Sequence, residues 1–430
     1  MFGFFTTLGK IFMEKNKLII IFFAAFVLRA GLVFSAYHGD LNNNISWATL
    51  AEERGFKDFY EGENWQYSAP NQPPLTILTF AFIRKIWIFV ENTSWWLNNN
   101  LKLFPSAFIW FWEQRGMILL IKLPGILADL VIGGLTFSYF KKRIKVENKA
   151  LLLASVWLFN PIVWYNSSIW GQTDSIVNLF GLVAIFALIK KYLPKFLIFM
   201  TLSLLFKGSL AIFLPVLLFV AVKQGYSIKT WIKGILYSLF TVLLISIWFH
   251  PDPDLFFWLI RLYSDRILPG EIGFLTANAF NIWWFVDPGR VPDSILYFGL
   301  TARTWGFMAI FLVIIMLIQW LNYKINDKKL FFSFAILALA SFLFMTRIHE
   351  RYLYPFFPPA TILLGFLPSF WIPYVVLTII HLLNLYHLFW APNLPALIDL
   401  FSRSIFPNIL ALINIATFFY LLRHLRKANI

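Results

Sequence analysis

Four short polar runs interrupt an otherwise apolar chain, and each brings together residue types that can do chemistry. They are "HGDLNNNISWA" (His38 to Ala48), "SSIWGQTDS" (Ser167 to Ser175), "TANAFNIWW" (Thr276 to Trp284, containing Asn278) and "TRIHERYLYP" (Thr346 to Pro355). The last packs Arg347, His349, Glu350 and Arg351 into five positions between two apolar runs. Snorkelling to a membrane surface accounts for one arginine, but not for a glutamate and a histidine beside two of them. Arginine and histidine at this spacing can offer donors to a phosphate, arginine through a bidentate fork. Asp174 follows Trp170 and Gln172 at a helix start, where Asp or Thr also caps orphan amides, so a cap and a functional role are both open. Asp40 stands directly after the first apolar run, where a lone carboxylate is ordinarily just solvated.

Lys122, Asp129 and Lys207 lie inside apolar runs, where a charge is costly and marks a pathway, a pair or a headgroup contact. The short runs flanking Lys207 put it at the apex of a helical hairpin, and Asp129 has a simple reading as the partner of a buried Lys or Arg. Asp252 and Asp254 form an Asp-x-Asp pattern that can hold a divalent metal, but the neighbouring prolines are explained as well by an extended loop. No metal or organic cofactor is assigned, and no phosphate-binding Gly-rich loop or dinucleotide fingerprint is present. The chain has no cysteine, which removes disulfides and thiolate ligands.

These residues must be positioned by membrane helices. The chain of 430 residues is 60% hydrophobic, 20% aromatic and 13% charged, with mean hydropathy +0.71, far from the usage of a soluble domain. At ~20 apolar residues per span, the pattern predicts an all-α polytopic membrane protein. Spans are expected near Leu18 to Ala36, Pro74 to Val90, Met117 to Phe140, Ala150 to Tyr165, Ile176 to Ile189, Phe196 to Phe206 and Ser209 to Val222. Others are expected near Ile232 to Phe249, Ala302 to Leu321, Leu330 to Met345, Leu353 to Leu367, Ile372 to Phe389 and Ile405 to Leu422, about 12–13 crossings in all. The first run lacks a small-residue cleavage site and reads as a retained anchor.

The net charge of +15 comes in short basic clusters between apolar runs: Lys10/Lys15/Lys17, Lys141/Lys142/Arg143/Lys145, Lys190/Lys191/Lys195, Lys223/Lys229/Lys233, Lys324/Lys328/Lys329 and Arg423/Arg426/Lys427. That is the positive-inside pattern of cytoplasmic loops and not a nucleic-acid surface. The first loop, with Asp40, Glu52, Glu53, Asp58, Glu61 and Glu63, belongs to the outer face, and the four polar runs then fall on that same side. One parity problem remains: Asp40 outside and Lys141 inside require an odd number of crossings, yet two apolar segments lie between them. Either "SAFIWFW" (Ser106 to Trp112) makes a third crossing or one segment lies in the interface.

In chain order, the aspartate after the first span, "PNQPPLTIL" (Pro70 to Leu78), "KLPGILADLVIG" (Lys122 to Gly133), "LFNPIVWYNSSIWGQTDSI" (Leu158 to Ile176), "ANAFNIWW" and "RIHERYLYP" resemble a branch of the GT-C membrane glycosyltransferases. These are the prokaryotic relatives of the GPI mannosyltransferases and of the glucosyltransferases that finish the lipid-linked N-glycan precursor. The resemblance spans nearly the whole chain and is carried by "WGQTDS" and "HERYLYP" together. It implies one integral domain over 1–430, with a catalytic part to about 250, variable C-terminal helices beyond it and a large first outer loop bearing juxtamembrane helices. It implies transfer of a hexose, mannose or similar, from a polyprenyl- or dolichyl-phosphate sugar to a lipid- or glycan-linked acceptor. The setting implied is the outer face of a prokaryotic cytoplasmic membrane.

Carried over by residue, Asp40 resembles the general base, and His349 and Arg351, with Arg347 and Lys207, resemble contacts to the donor phosphate. Trp170, Gln172, Asp174, Glu350 and Asn278 would line the sugar or acceptor pocket. The tyrosine-containing "YPP" expected at the second span is replaced by Asn71-Gln72 ahead of Pro73-Pro74. Direct displacement from a lipid phosphate needs a base at the acceptor and cations at the phosphate, and inverts the anomeric centre. A competing reading is a transporter or flippase of lipid-linked sugars with Lys122, Asp129 and Lys207 as its pathway; repeats and midplane polar sites would mark it. A third is an integral O-antigen ligase or polymerase.

Overall fold

A computed structural model describes residues 2–62, 65–101, 104–144, 146–268 and 272–427, with side chains described from 16 to 423 except at 144. Glu63 and Lys145, and the side chains of Lys10, Lys15, Arg426 and Lys427, lie outside the described residues. The chain is helical almost throughout. In order the helices are α1 (Phe2–Leu32), α2 (Asp40–Arg54), α3 (Pro74–Asn100), α4 (Ser106–Phe111), α5 (Met117–Ile144), α6 (Glu147–Leu158), α7 (Pro161–Trp164), α8 (Asp174–Ile189) and α9 (Leu193–Phe206). They continue as α10 (Leu214–Lys223), α11 (Ile228–Ser246), α12 (Leu255–Leu262), α13 (Ala302–Tyr323), α14 (Asp327–Phe344), α15 (Phe357–Leu364), α16 (Trp371–Phe389), α17 (Pro395–Ser402) and α18 (Ile405–Lys427). A two-residue hairpin, β1 (Leu296–Tyr297) with β2 (Leu300–Thr301), is a small departure from an all-α chain.

The helix starts follow local chemistry. Ser227, Thr301 and Asn326 accept from the backbone N–H of Thr230, Thr304 and Lys329, while α3, α7 and α17 open on proline, whose fixed φ and missing N–H suit the first turn. Among the described residues, five helical stretches are long and apolar enough to cross a membrane: Ser106–Arg143, Ile228–Ser246, Ala302–Tyr323, Pro368–Phe389 and Ile405–Arg423. The protein is thus a helical membrane protein. Of the remaining expected spans, Leu18 to Ala36 falls largely in α1, Pro74 to Val90 in α3 and Leu330 to Met345 in α14, while the others appear as shorter or broken helices. The expected run from Ala150 to Tyr165 is divided into α6 and α7 at Asn160-Pro161, because proline lacks the N–H that would continue the ladder. Helix α14 is the hub: every residue from Lys329 to Ala340 is buried, so it packs protein on all sides and not lipid.

Two polar ends stand apart. At one, Arg143 pairs with Asp327 at 2.7 Å, Lys223 donates to Asn322 and Lys149 donates to the Gly365 carbonyl at 2.9 Å. At the other, Lys122 gathers backbone carbonyls of the "SSIWGQTDS" run and Lys207 pairs with Asp174. Along α5 the two ends, Lys122 and Lys141, are about 28 Å apart at ~1.5 Å per residue, close to one hydrocarbon thickness. The grouping of basic loops at one end and the four polar runs at the other follows the expected charge pattern.

The same geometry shows how the chain runs between Pro74 and Lys122. Thr76, near the start of α3, donates to the Phe206 carbonyl beside Lys207, and Lys122 is again at this level. Between them α3 and α4 form a hairpin closed by reciprocal indole bonds, Trp87 Nε1 to the Trp112 carbonyl and Trp112 Nε1 to the Trp87 carbonyl. The chain leaves the site level at Pro74 and returns to it at Lys122. "SAFIWFW" is part of the return limb, continuous with α5 in the stretch Ser106–Arg143.

Buried charges are matched. Arg29, inside α1, donates through Nε to Asp129 at 3.1 Å with both side chains fully buried, and Ser167 and Ser175 add hydroxyl bonds to the same carboxylate at 2.6 and 2.5 Å. The pairing read for Asp129 holds, with Arg29 as the partner. Removing one charge strands the other in apolar surroundings. Asp129→Asn is therefore expected to lower the unfolding free energy by about 3 kcal/mol or more, read by thermal denaturation in detergent. The double variant Arg29→Leu/Asp129→Leu should lie closer to wild type than the single one.

Candidate active site

The chain enters the site at Asp40, the first residue of α2. Its Oδ2 accepts from Trp170 Nε1 at 3.3 Å and from Gln172 Nε2, while Oδ1 takes no side-chain hydrogen bond among the described residues and lies 3.5 Å from His38 Nδ1. The side chain is 37% exposed, so one oxygen is held and the other is open. His38 accepts from the Asp40 backbone N–H through Nδ1 at 3.0 Å and lies against Trp170 with ring centroids 4.5 Å apart. Burial pushes its pKa below the ordinary histidine value, which keeps this ring neutral.

Asp40 and its donors are 130 residues apart, and one ammonium joins them. Lys122 Nζ donates to the carbonyls of Val33 (2.7 Å) and Ala36 (3.3 Å), just ahead of Asp40, and of Ser168 and Ile169 (both 2.9 Å), just ahead of Trp170. Between Trp170 and Gln172 the chain turns at Gly171 with φ +87°, and a Cβ there would meet Leu41 at 2.8 Å. Both the left-handed backbone and the close approach demand glycine.

On the other side of Asp40 stands Arg351. Its Nη1 donates to Glu350 Oε1 at 2.8 Å, its Nε has no partner among the described residues, and its guanidinium lies 5.9 Å from the Trp170 ring centroid and 5.6 Å from that of Tyr352. Burial alone would raise the Asp40 carboxyl, but the Arg351 charge and the Trp170 and Gln172 bonds outweigh it and hold it below the usual carboxylate range. Glu350 is fully buried. Burial again works upward, and the neighbouring His349 and Arg351 override it, setting this carboxyl at about 2. The result is a fixed carboxylate behind a fixed guanidinium.

Beyond this wall lies a largely apolar cavity of about 620 Å³, bounded by Gly208 to Pro215, Ile267 and Leu268, Arg303 and Phe307 of α13, and Met345 to His349, with Tyr352 and Asp174 reaching its inner end. His349 lines it with a ring 24% exposed. Arg303 also lines it, stacked over Phe307 at 5.6 Å. Arg347 lines it too, at φ +62°, but forms a two-pronged pair with Asp293 through Nε at 2.7 Å and Nη2 at 2.9 Å, seconded by the Thr346 hydroxyl at 2.9 Å. The backbone here is pinned by Ala277 N–H to the Ile348 carbonyl and Arg347 N–H to the Phe274 carbonyl.

The structure thus brings Asp40, Trp170, Gln172, Glu350 and Arg351 into one contact group, with His349, Asp174 and Lys207 adjoining. Asp174 does not cap α8; its carboxylate takes the Lys207 ammonium at 2.6 Å and the Asn166 amide at 3.4 Å. Lys207 follows α9 at the hairpin apex, where its charge is matched by Asp174; the charge of Arg347 is likewise matched, by Asp293. Asn278 adjoins through its backbone, which bridges to His349, while its side-chain oxygen faces His387 at 2.9 Å. Asp254 of the Asp-x-Asp pattern is engaged by His250 at 2.6 Å and Arg261 at 3.0 Å. Among the described residues no group of three or more His, Asp or Glu side chains is placed to hold a metal ion.

Sequence reasoning missed His38, Asp293 and Arg303, and it left Lys122 open as a pathway, a pair or a headgroup contact where the structure shows a clasp on backbone carbonyls. His38 stood within a quoted motif two residues before Asp40; Asp293 carries no local signal. Compared with known families and curated proteins, the chain matches no family model and no curated sequence.

Chemically, the arrangement offers an ionised, half-held and partly exposed carboxylate, with Arg303 and His349 lining an apolar cavity nearby. The buried pair has a pH signature. Because the folded pKa of Glu350 lies below its ordinary 4.5, the stabilisation is complete above about 4.5 and is lost as pH falls toward about 2. Melting temperature in detergent should drop through that acid window in wild type, and Glu350→Gln, already less stable at neutral pH, should show a flatter profile.

Proposed function

We propose that the protein is a membrane glycosyltransferase of the GT-C kind, transferring a hexose from a polyprenyl- or dolichyl-phosphate sugar to a lipid- or glycan-linked acceptor. Its working face is the outer side of a prokaryotic cytoplasmic membrane. The observation that carries this reading is the adjacency of the Asp40 carboxylate to Arg351, with His349 beyond it lining an apolar cavity. A carboxylate base and a guanidinium flanking Trp170, with His349 two residues from Arg351 lining an apolar chamber, suit a substrate whose leaving group is an anion on a lipid.

In the proposed step the acceptor hydroxyl gives its proton to Oδ1 of Asp40 as its oxygen attacks the anomeric carbon. The bond from that carbon to the phosphate oxygen breaks, and its electron pair leaves with the lipid phosphate. Arg351 and His349 meet the charge that develops there, the assistance expected of fixed donors in a water-poor site. Gln172 and Trp170 hold the other carboxylate oxygen, so Asp40 cannot turn away. A single displacement inverts the anomeric configuration. The Asp174–Lys207 and Asp129–Arg29 pairs and the four-carbonyl Lys122 site support a scaffold role for the intramembrane charges and not the exposed pathway that a flippase would need.

Asp40→Asn keeps the shape and the two donor contacts but removes the base. The expected result is a fall in transfer by about 10²–10⁴-fold with lipid-phosphate-sugar binding retained, measured with radiolabelled donor in nanodiscs. Full activity in Asp40→Asn, or product with retained configuration, would refute the reading.

A further inference from the structure

A second concavity lies along α2, from about half a turn to nearly four helical turns beyond Asp40, and the proposed chemistry does not use it. About 580 Å³ in volume, it is bounded by α2 on one side and the loop from Trp65 to Tyr67 on the other. Its lining mixes aromatic and polar groups, Tyr37, Trp65 and Tyr67 with Asn42, Glu53 and Arg54, and includes two aliphatic side chains, Ile45 and Leu50. This differs from the first cavity, where aliphatic side chains dominate.

The groove is built and not incidental. Asn43 accepts the Ser68 N–H at 3.2 Å and Trp47 Nε1 donates to the Ser68 carbonyl at 2.9 Å, which fastens the loop to α2 from beneath. Trp65 is fixed by its indole bond to the Gly62 carbonyl at 2.6 Å and by an edge contact with Phe59, centroids 5.1 Å apart. Tyr37 is fixed by its hydroxyl bond to Asn42 Oδ1 at 2.5 Å. Glu53 and Arg54 make no side-chain hydrogen bond among the described residues, so an acceptor and a donor of opposite charge face the groove unspent. Tyr67 is 54% exposed and Tyr37 46%, large rings left on a water-facing rim.

Rigid aromatic faces beside carboxylate, amide and guanidinium groups make a surface for pyranose rings, whose C–H faces stack on aromatics while their hydroxyls hydrogen-bond at the edges. We propose that this groove binds the sugars of an oligosaccharide acceptor, two or more residues back from the hydroxyl that reaches Asp40. Its orientation toward Asp40 rests on the transferase reading; its sugar binding does not. The acceptor is then a glycan chain and not a bare lipid.

The test is saturation-transfer-difference NMR on the full-length protein in nanodiscs with neutral tri- and tetrasaccharides of glucose, mannose and N-acetylglucosamine. Saturable binding by wild type and by Asp40→Asn is expected, weakened about tenfold in Tyr67→Ala and Trp65→Ala, as for an aromatic at the centre of a contact. Because Trp65 also packs on Phe59, the exposed Tyr67 and a Glu53→Gln variant keep the result free of folding effects. No binding by any of these oligosaccharides, or equal binding by wild type, Tyr67→Ala and Glu53→Gln, would overturn the proposal. Oligosaccharide binding without any transfer activity would sink the transferase reading and leave this one standing.

Discussion

The ammonium of Lys122 is the point on which the candidate site depends. Four carbonyl oxygens from two distant segments converge on it, two at the end of the first helix and two in the run before Gly171. A carbonyl left unpaired near hydrocarbon is costly, and an ammonium whose three N–H groups are shared among four carbonyls, the longest contact 3.3 Å to Ala36, is correspondingly hard to displace. The consequence is positional: the residues after each pair of carbonyls are Asp40 and the Trp170–Gln172 donors, so their mutual distance is set by Lys122 before any substrate arrives. Preorganisation of this kind is what a site gains from a buried charge that does no chemistry itself.

The same economy recurs around it. Arg29 with Asp129, Lys207 with Asp174 and Arg351 with Glu350 are three ion pairs at the polar end of the bundle, each buried or nearly so. None is good evidence of stability by itself, since two desolvated ions recover little more than they lose. Their value is in fixing where segments meet. Tyr354 shows how closely they are knit, its hydroxyl lying 2.8 Å from Ser175 and 3.2 Å from Asp129. Through these contacts the "HERYLYP" segment is registered against α5 and α8, and with it Arg351 against Asp40.

Much of this was legible in the residues. Apolar periodicity gave the helices, basic clusters gave the two ends, and the four polar runs converged on one face as their charge context implied. What was not legible depended on partners far apart in the chain. Asp129 announced a need for a cation, but nothing near it named Arg29, a hundred positions earlier. Arg347 looked as available as Arg351 from sequence; only the fold reveals Asp293 behind it. Nor does an apolar run tell a lipid-facing helix from a buried one: every residue of α14 from Lys329 to Ala340 is buried, so it packs protein on all sides.

The division of the site explains why its residues are of such different kinds. Asp40 opens α2, whose later residues border a groove of polar and aromatic side chains, while His349 and Arg303 line an apolar chamber next to the Glu350–Arg351 pair. The central claim is that the donor is a sugar on a lipid phosphate. Purified wild-type protein in nanodiscs, offered polyprenyl-phosphate hexoses beside nucleotide sugars, tests it most directly. Sugar transfer or slow hydrolysis from the lipid-phosphate donors alone is the predicted result; turnover of nucleotide sugars alone would contradict the account.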